Sequence, residues 1–390
     1  MDAAKSGRAT AAWSPGSLRG FMFSATPDPR MTPAVPGQPA TDTPEFFRRI
    51  PKVELHCHLF GTIRQATFAA LAAQAGAPLS ATEIAAFYLR GPKPAGILHV
   101  LRTFDQHVMR RGDAFYRITL EYLEDAAHEG VRYAEFFWNP TGTMWDSGVP
   151  YPTALGAIAN AVRDAEKAFG IIGRLIPSID RQAEPSAAVE MVKVVAAHRH
   201  EVVVGIGIDY REVDRPPELF VEAYALAHRL GLKTTAHAGE FGMPWTNVAT
   251  AVHDLKVDRI DHGYTVIDQP GFTRECAERG IVFTVVPTNS YYLRTLSPER
   301  WALDHPIRSM PKLGLKIHPN TDDPTLHHVS PGGAWHMMSR DFGFTMDDLH
   351  TFMLNGIDGA WVDDSVKTRW AGDWIAEFAA LRAQFYPFPA

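Results

Sequence analysis

Thr235-Ala236-His237-Ala238-Gly239-Glu240 reads as the end of a strand that carries a metal-type ligand, His237, with a carboxylate, Glu240, three residues further on. The strand starts at Lys233, after a helical pattern over 218–230 closed by Gly231, a residue suited to a C-cap. A helical pattern over 246–255 follows it. The same alternation continues outward in both directions. Toward the N-terminus, strands are expected at 52–58, 131–137, 173–179 and 202–208, separated by helical patterns around 66–75, 80–90, 95–109, 114–129, 152–169 and 185–199. Toward the C-terminus, strands are expected at 258–261, 281–286 and 315–318, with helix at 270–279, a loop and helix to 313, and mostly helix over 333–386. Eight strands in strict alternation with helices argue for a parallel sheet. The expected fold is therefore α/β, a (β/α)₈ TIM-type barrel with helical insertions. A doubly wound open sheet is the alternative, weakened because no Gly-x-Gly-x-x-Gly follows the first strand.

The chain has 390 residues, 46% hydrophobic and 21% charged, an ordinary globular composition that accommodates one large barrel or two smaller domains. A net charge of -6 argues against a dedicated nucleic-acid binder, which carries a basic face. The two cysteines, Cys57 and Cys276, build neither a disulfide framework nor a cysteine-rich zinc site. They suit a reducing, cytoplasmic setting. No apolar run approaches the roughly 18 residues of a membrane helix. Residues 1–44 are rich in Pro, Ala, Ser, Thr and Gly, show no sustained period, and read as a disordered leader without a part in chemistry. Residues 45–390 are expected to form the functional domain.

His56 and His58 lie two apart on the first expected strand, so both imidazoles face one side and can reach one ion, while Cys57 points away. His237 ends the fifth strand, His262 the sixth, and Asp322 follows the eighth. In a barrel these positions share the C-terminal rim, where active sites sit. Three histidines and an aspartate suit zinc, which makes bound water nucleophilic near neutrality. Taken singly, each residue has a plainer reading: Glu240 beside a helix N-terminus, Asp323 capping the helix that starts at Pro324, His262 packed in a core.

Four separated motifs, Pro51-Lys52-Val53-Glu54-Leu55-His56-Cys57-His58, His237-Ala238-Gly239-Glu240, Arg259-Ile260-Asp261-His262-Gly263 and Asn320-Thr321-Asp322-Asp323-Pro324, resemble the adenosine/adenine deaminase family of metal-dependent hydrolases. Their order and spacing match from residue 46 to about 375. The resemblance implies a (β/α)₈ barrel with one Zn²⁺ per chain, held by His56, His58, His237 and Asp322. It implies Glu240 as the acid that protonates purine N1, which requires a raised pKa through burial. His262 would orient the attacking hydroxide, Asp323 would accept a hydrogen bond from the N7 side, and Gly239 would let the ring approach the backbone. The cytidine-type zinc deaminases need a Pro-Cys-x-x-Cys pair that this chain lacks. The strand ending at Asp209 offers no lysine of the kind that bridges two metals in some related hydrolases, so one metal is expected.

The substrate is expected to be a small-molecule purine deaminated at C6. Gly205-Ile206-Gly207-Ile208-Asp209-Tyr210-Arg211-Glu212, with Pro216, Pro217 and Phe220 beyond it, is similar to the adenine-deaminase branch. The nucleoside enzymes instead continue Asp-Leu-Ala-Gly-Asp-Glu. Asp261, where they usually carry glycine, points the same way. Phe60 departs from both branches, which usually carry an acidic residue there, and removes a polar acceptor from the expected rim. With Phe136, Phe137 and Trp138 it offers apolar area, which suggests adenine with an apolar N6 substituent, releasing an alkylamine and hypoxanthine. Val286-Pro287-Thr288-Asn289-Ser290-Tyr291-Tyr292 replaces the usual Cys-Pro-x-Ser-Asn, so Tyr291 or Tyr292 could line the substrate. Adenosine deamination, hydrolysis of another heterocycle or an amide on the same scaffold, and a catalytically silent barrel are the rival readings.

Overall fold

Short runs of buried, largely apolar residues alternate with longer segments whose apolar residues recur every three or four positions, and the chain folds accordingly. The computed structural model describes residues 43–89, 96–288, 296–297 and 299–387. Its strands are β1 (Lys52–Glu54), β2 (Val131–Trp138), β3 (Ile172–Asp180), β4 (Gly205–Asp209), β5 (Lys233–Ala238), β6 (Arg259–His262), β7 (Val282–Val285) and β8 (Lys316–Pro319). Each pairs in parallel with its neighbour in sequence, in the order β1 to β8. Past the outermost strands, Cys57 and Asp322 form a parallel bridge. His58 N donates to Asp322 O at 2.8 Å, and Asp322 N donates to His56 O at 2.9 Å. The first and last strands thus meet, in a TIM-type α/β arrangement. A doubly wound sheet, whose strand order reverses at a switch point, is excluded by this order.

The sheet is buried on both faces, as parallel sheets are: every residue of β4, β6 and β7 is buried. Helix Tyr151–Phe169 shows the complementary pattern, burying Ala154, Leu155, Ile158, Ala161, Val162 and Ala165 along one face. It ends where Gly170 takes φ 72, a left-handed cap that glycine adopts without strain. Arg259, at the start of β6, pairs with Glu135 of β2 at 2.5 Å and donates to Leu55 O at 3.2 Å. That buried cation ties β6 to β2 and to the residue that follows β1.

Two expected elements differ. The β1 ladder stops at Glu54 because the Leu55 amide donates to the Asn320 side chain at 2.9 Å rather than to a neighbouring strand. The backbone re-engages only at the bridges of Cys57 and His58. The helix expected over 95–109 is α-helical only over Ile97–Thr103 and continues as a π-helical turn, Phe104–Val108. Between β1 and the helix Gly112–His128 the described residues include the α-helices Gln65–Ala75, Ala81–Phe87 and Ile97–Thr103. The leader expected over residues 1–44 lies outside the described residues apart from Thr43 and Pro44, and so do Tyr291 and Tyr292. From Thr43 the described residues belong to one compact unit, Thr41–Ala390. Among them no helix is long and apolar enough to cross a membrane.

Candidate active site and metal centre

Parallel strands deliver their C-terminal ends to one rim, and the metal-type residues meet there. His56 and His58 follow β1, His237 lies in β5, His262 closes β6 and Asp322 follows β8. One donor atom from each of His56, His58, His237 and Asp322 lies within 4.8 Å of all the others. His58 Nε2 is 3.1 Å from His237 Nε2 and 3.2 Å from Asp322 Oδ1, and His56 Nε2 is 3.6 Å from the same oxygen.

The opposite nitrogens of two of these rings are held from behind. His237 Nδ1 is 3.2 Å from Asp261 Oδ2, and His56 Nδ1 is 3.1 Å from both the carbonyl and the hydroxyl of Thr284. The Thr284 carbonyl can only accept, which puts the His56 proton on Nδ1, and the Asp261 charge favours the His237 proton on Nδ1; each Nε2 is then a bare lone pair. His56 Nε2 is buried with no hydrogen-bond partner among the described residues. Burial first, then the neighbouring His237, pulls the His56 pKa down to about 3, so the ring is neutral and able to donate its lone pair. Asp322 is held well below the ordinary carboxylate range, its burial outweighed by the hydrogen bond with His58 and the nearby imidazoles. Three imidazole nitrogens and one carboxylate oxygen are a zinc-type donor set. On one tetrahedral zinc two nitrogens stand roughly 3.3 Å apart, close to the spacing of His58 and His237. The residues fit the ion.

Glu240 and His262 lie beside this cluster, His262 Nε2 being 3.6 Å from Glu240 Oε2. The Tyr264 hydroxyl donates to Val286 O at 3.0 Å and faces His262 Nδ1 at 3.2 Å, so it accepts the ring proton there. His262 Nε2 is then the lone-pair nitrogen. Burial, then His56 and His237, hold the His262 pKa well below the ordinary value, so it is neutral at physiological pH. The Glu240 backbone is gripped by a residue to which the sequence assigns no role: Glu212 accepts from Gly239 N at 3.1 Å, Glu240 N at 3.2 Å and Asn247 Nδ2 at 2.7 Å.

Backbone strain concentrates here. His262 and Asp322 adopt φ 65 and 64, left-handed values costly for residues with a side chain. Gly239 also has positive φ, and a Cβ there would meet Thr265 Oγ1 at 2.5 Å and Val248 Cγ2 at 2.8 Å. Its glycine is thus required by the packing behind the loop. Gly61 is required by Asp323, whose Oδ1 would lie 2.0 Å from a Cβ at that position.

A cleft of about 620 Å³ of empty volume, open to solvent, lies over the cluster. His58, His237, Glu240, Asp322 and Asp323 form its polar floor, with Phe60, Phe137 and Trp138 beside them. Ile97, Leu98, Leu101, Tyr210 and Phe241 complete an apolar wall that the sequence alone does not single out. Gly239 and His262 do not border the cleft, and neither does Phe136, which packs on Tyr122 with ring centroids 5.5 Å apart.

Residues 51–375 match the model of the adenosine deaminase family. The chain belongs to that family. Within it, the chain is 31% identical to the adenine deaminase of a Marinomonas species over 83% of its own length and 95% of that protein. Among solved structures it is 59% identical to an amidohydrolase from Burkholderia ambifaria with bound Zn, with a TM-score of 0.87 over 90% of this chain and 96% of that one. It is also 28% identical to the adenine deaminase of Arthrobacter aurescens, with a TM-score of 0.78 over 85% and 99% of the two chains. The zinc-type cluster and the cleft above it are thus features of an adenosine deaminase family member.

Proposed function

We propose that the chain is an aminohydrolase of purine bases, working with one zinc ion per chain to release ammonia or an alkylamine from C6 of adenine or an N6-substituted adenine. The observation that carries this reading is the convergence of the His56, His58, His237 and Asp322 donor atoms beneath a cleft that also presents Glu240 and Asp323. Relatives over most of the chain are adenine deaminases, which supports the free base as substrate. When bound, zinc would supply a Lewis acid that makes water nucleophilic near neutral pH. The chain's own residues supply the rest. Glu240, as a buried carboxylic acid, gives a proton to N1 and makes C6 electrophilic. His262 takes the proton of the attacking water on Nε2. Asp323 accepts the N7 hydrogen bond and sets the plane of the ring. Water adds at C6, His262 passes its proton to the departing amine, the proton of the new C6 hydroxyl returns to Glu240 as the carbonyl forms, and hypoxanthine remains.

The apolar wall of Phe60, Ile97, Leu98, Leu101 and Phe241 favours an N6 substituent without polar atoms. The functional domain is read as residues 45–390, with the helices between β1 and Gly112–His128 as insertions in the barrel. Free, buried Cys57 and Cys276 support a cytoplasmic place for it. The test is metal analysis of the purified chain together with ultraviolet assays on adenine, adenosine, N6-methyladenine and N6-isopentenyladenine. Stoichiometric zinc and faster turnover of the bases than of adenosine are expected. Adenine turned over far faster than every N6-alkyl adenine would remove the substituent from the reading. Adenosine as the best substrate would remove the free base.

A further inference from the structure

We infer that Asp261 is the positioning residue of the metal centre, fixing through one buried carboxylate the ligand nitrogens of histidines on two different strands. The inference rests on the zinc reading above. Asp261 lies in β6, between β5 and β7 in the sheet, and is fully buried. Its Oδ2 stands 3.2 Å from His237 Nδ1 on β5. Its Oδ1 accepts the Thr284 hydroxyl of β7 at 2.7 Å. Because that hydroxyl gives its proton to Asp261, its lone pairs are left to accept from His56 Nδ1, 3.1 Å away. The polarity of the chain is therefore set at one end: carboxylate, hydroxyl, imidazole. Both rings carry their proton on Nδ1 and present Nε2 to the ion. A carboxylate behind an imidazole also makes it a stronger ligand.

His56 has a second acceptor, the Thr284 carbonyl at 3.1 Å, whereas behind His237 Nδ1 stands the Asp261 carboxylate, acting at 3.2 Å through its charge. The two arms should therefore differ in strength. Asp261→Asn keeps the shape but removes the charge, and its amide nitrogen donates at one of the two positions where the carboxylate accepts. Thr284→Val removes only the hydroxyl, and Thr284→Ser restores it.

The experiment is competition between a chelator and the metal-stripped chain for zinc, with circular dichroism of each variant to report folding. Asp261→Asn is expected to weaken zinc binding by about 10–100-fold. Thr284→Val is expected to weaken it by a smaller factor and Thr284→Ser to restore it. Native affinity in both Asp261→Asn and Thr284→Val would overturn the inference and leave the metal reading standing. A native chain that takes up no zinc would overturn the metal reading and this inference with it. If Asp261→Asn does not fold, the contrast between Thr284→Val and Thr284→Ser decides: a deficit in Val that Ser repairs supports the chain of contacts, and its absence overturns it.

Discussion

The Nε2 atoms of His58 and His237 face each other at 3.1 Å across the rim of the sheet. With the Asp261 charge 3.2 Å behind its Nδ1, His237 turns an Nε2 lone pair to that contact, as a zinc ligand does. Adding zinc to the chelator-treated chain should raise its thermal midpoint. At a hundred times the dissociation constant the gain is about 2.7 kcal/mol. His237→Ala should show neither that rise nor turnover. A native chain whose midpoint ignores zinc would contradict the convergence argument.

Glu240 borders the cleft and groups within 4.8 Å with His262 and Asp322, but it does not belong to the set of His56, His58, His237 and Asp322. Glu240→Gln should therefore hold zinc at the native level while losing turnover by about 10²–10⁴-fold, the usual worth of a positioned acid. The loss should fall on kcat. Zinc content by elemental analysis, paired with single-substrate kinetics, checks both halves. Near-native rates would remove Glu240 from the acid role.

Much of this rim was legible because each polar residue ends a strand, and strand order follows chain order. His237, His262 and Asp322 needed only the alternation of strand and helix to share one face. The apolar wall was not legible in that way. Ile97, Leu98 and Leu101 sit on a helix between β1 and β2, and its pattern alone does not say that this face covers the cleft. Glu212 and Thr284 were hidden for a similar reason, since each acts through a contact distant in sequence. Gly239 was legible as a glycine the site needs, but the sequence pointed to the substrate side, and the close approach of Thr265 and Val248 lies behind the loop.

Gly61 and Asp323 give a sharper test of a small residue. A methyl at position 61 would meet Asp323 Cα at 2.7 Å as well as its carboxylate oxygen, so backbone must shift. Gly61→Ala should raise KM for the purine and lower kcat/KM by roughly 10²-fold or more, in line with the cost of misplacing a substrate-orienting group. Zinc content should change little. Native kinetics in this variant would separate Asp323 from ring binding.

Leu98 lines the cleft and is half-buried, so it tolerates substitution better than the fully buried Phe60. Leu98→Asn should lower kcat/KM for N6-isopentenyladenine about 10-fold more than for adenine, the scale of a lost apolar contact in a pocket. Equal losses on the two substrates would take Leu98 out of substituent recognition.

Asp105 supplies a pH signature away from the metal ligands. It is fully buried in the π-helical turn, with Oδ1 accepting from Thr143 Oγ1 at 2.9 Å and Oδ2 without a hydrogen-bond partner among the described residues. Burial raises its pKa to about 8, against the smaller opposing pull of Thr143 and Arg102. A carboxyl raised in the folded state binds its proton more tightly there than in the unfolded chain. Its contribution to stability is whole below the unfolded pKa, near 4, and is lost as pH climbs through 8. Asp105→Asn cannot titrate. Between pH 6 and pH 8 the native chain should lose about 2 kcal/mol relative to this variant. Urea unfolding of both proteins at the two pH values measures the difference. Buried Glu54, also raised to about 8, titrates equally in both and cancels. Parallel pH dependence in the two proteins would mean that Asp105 is already ionised in the fold.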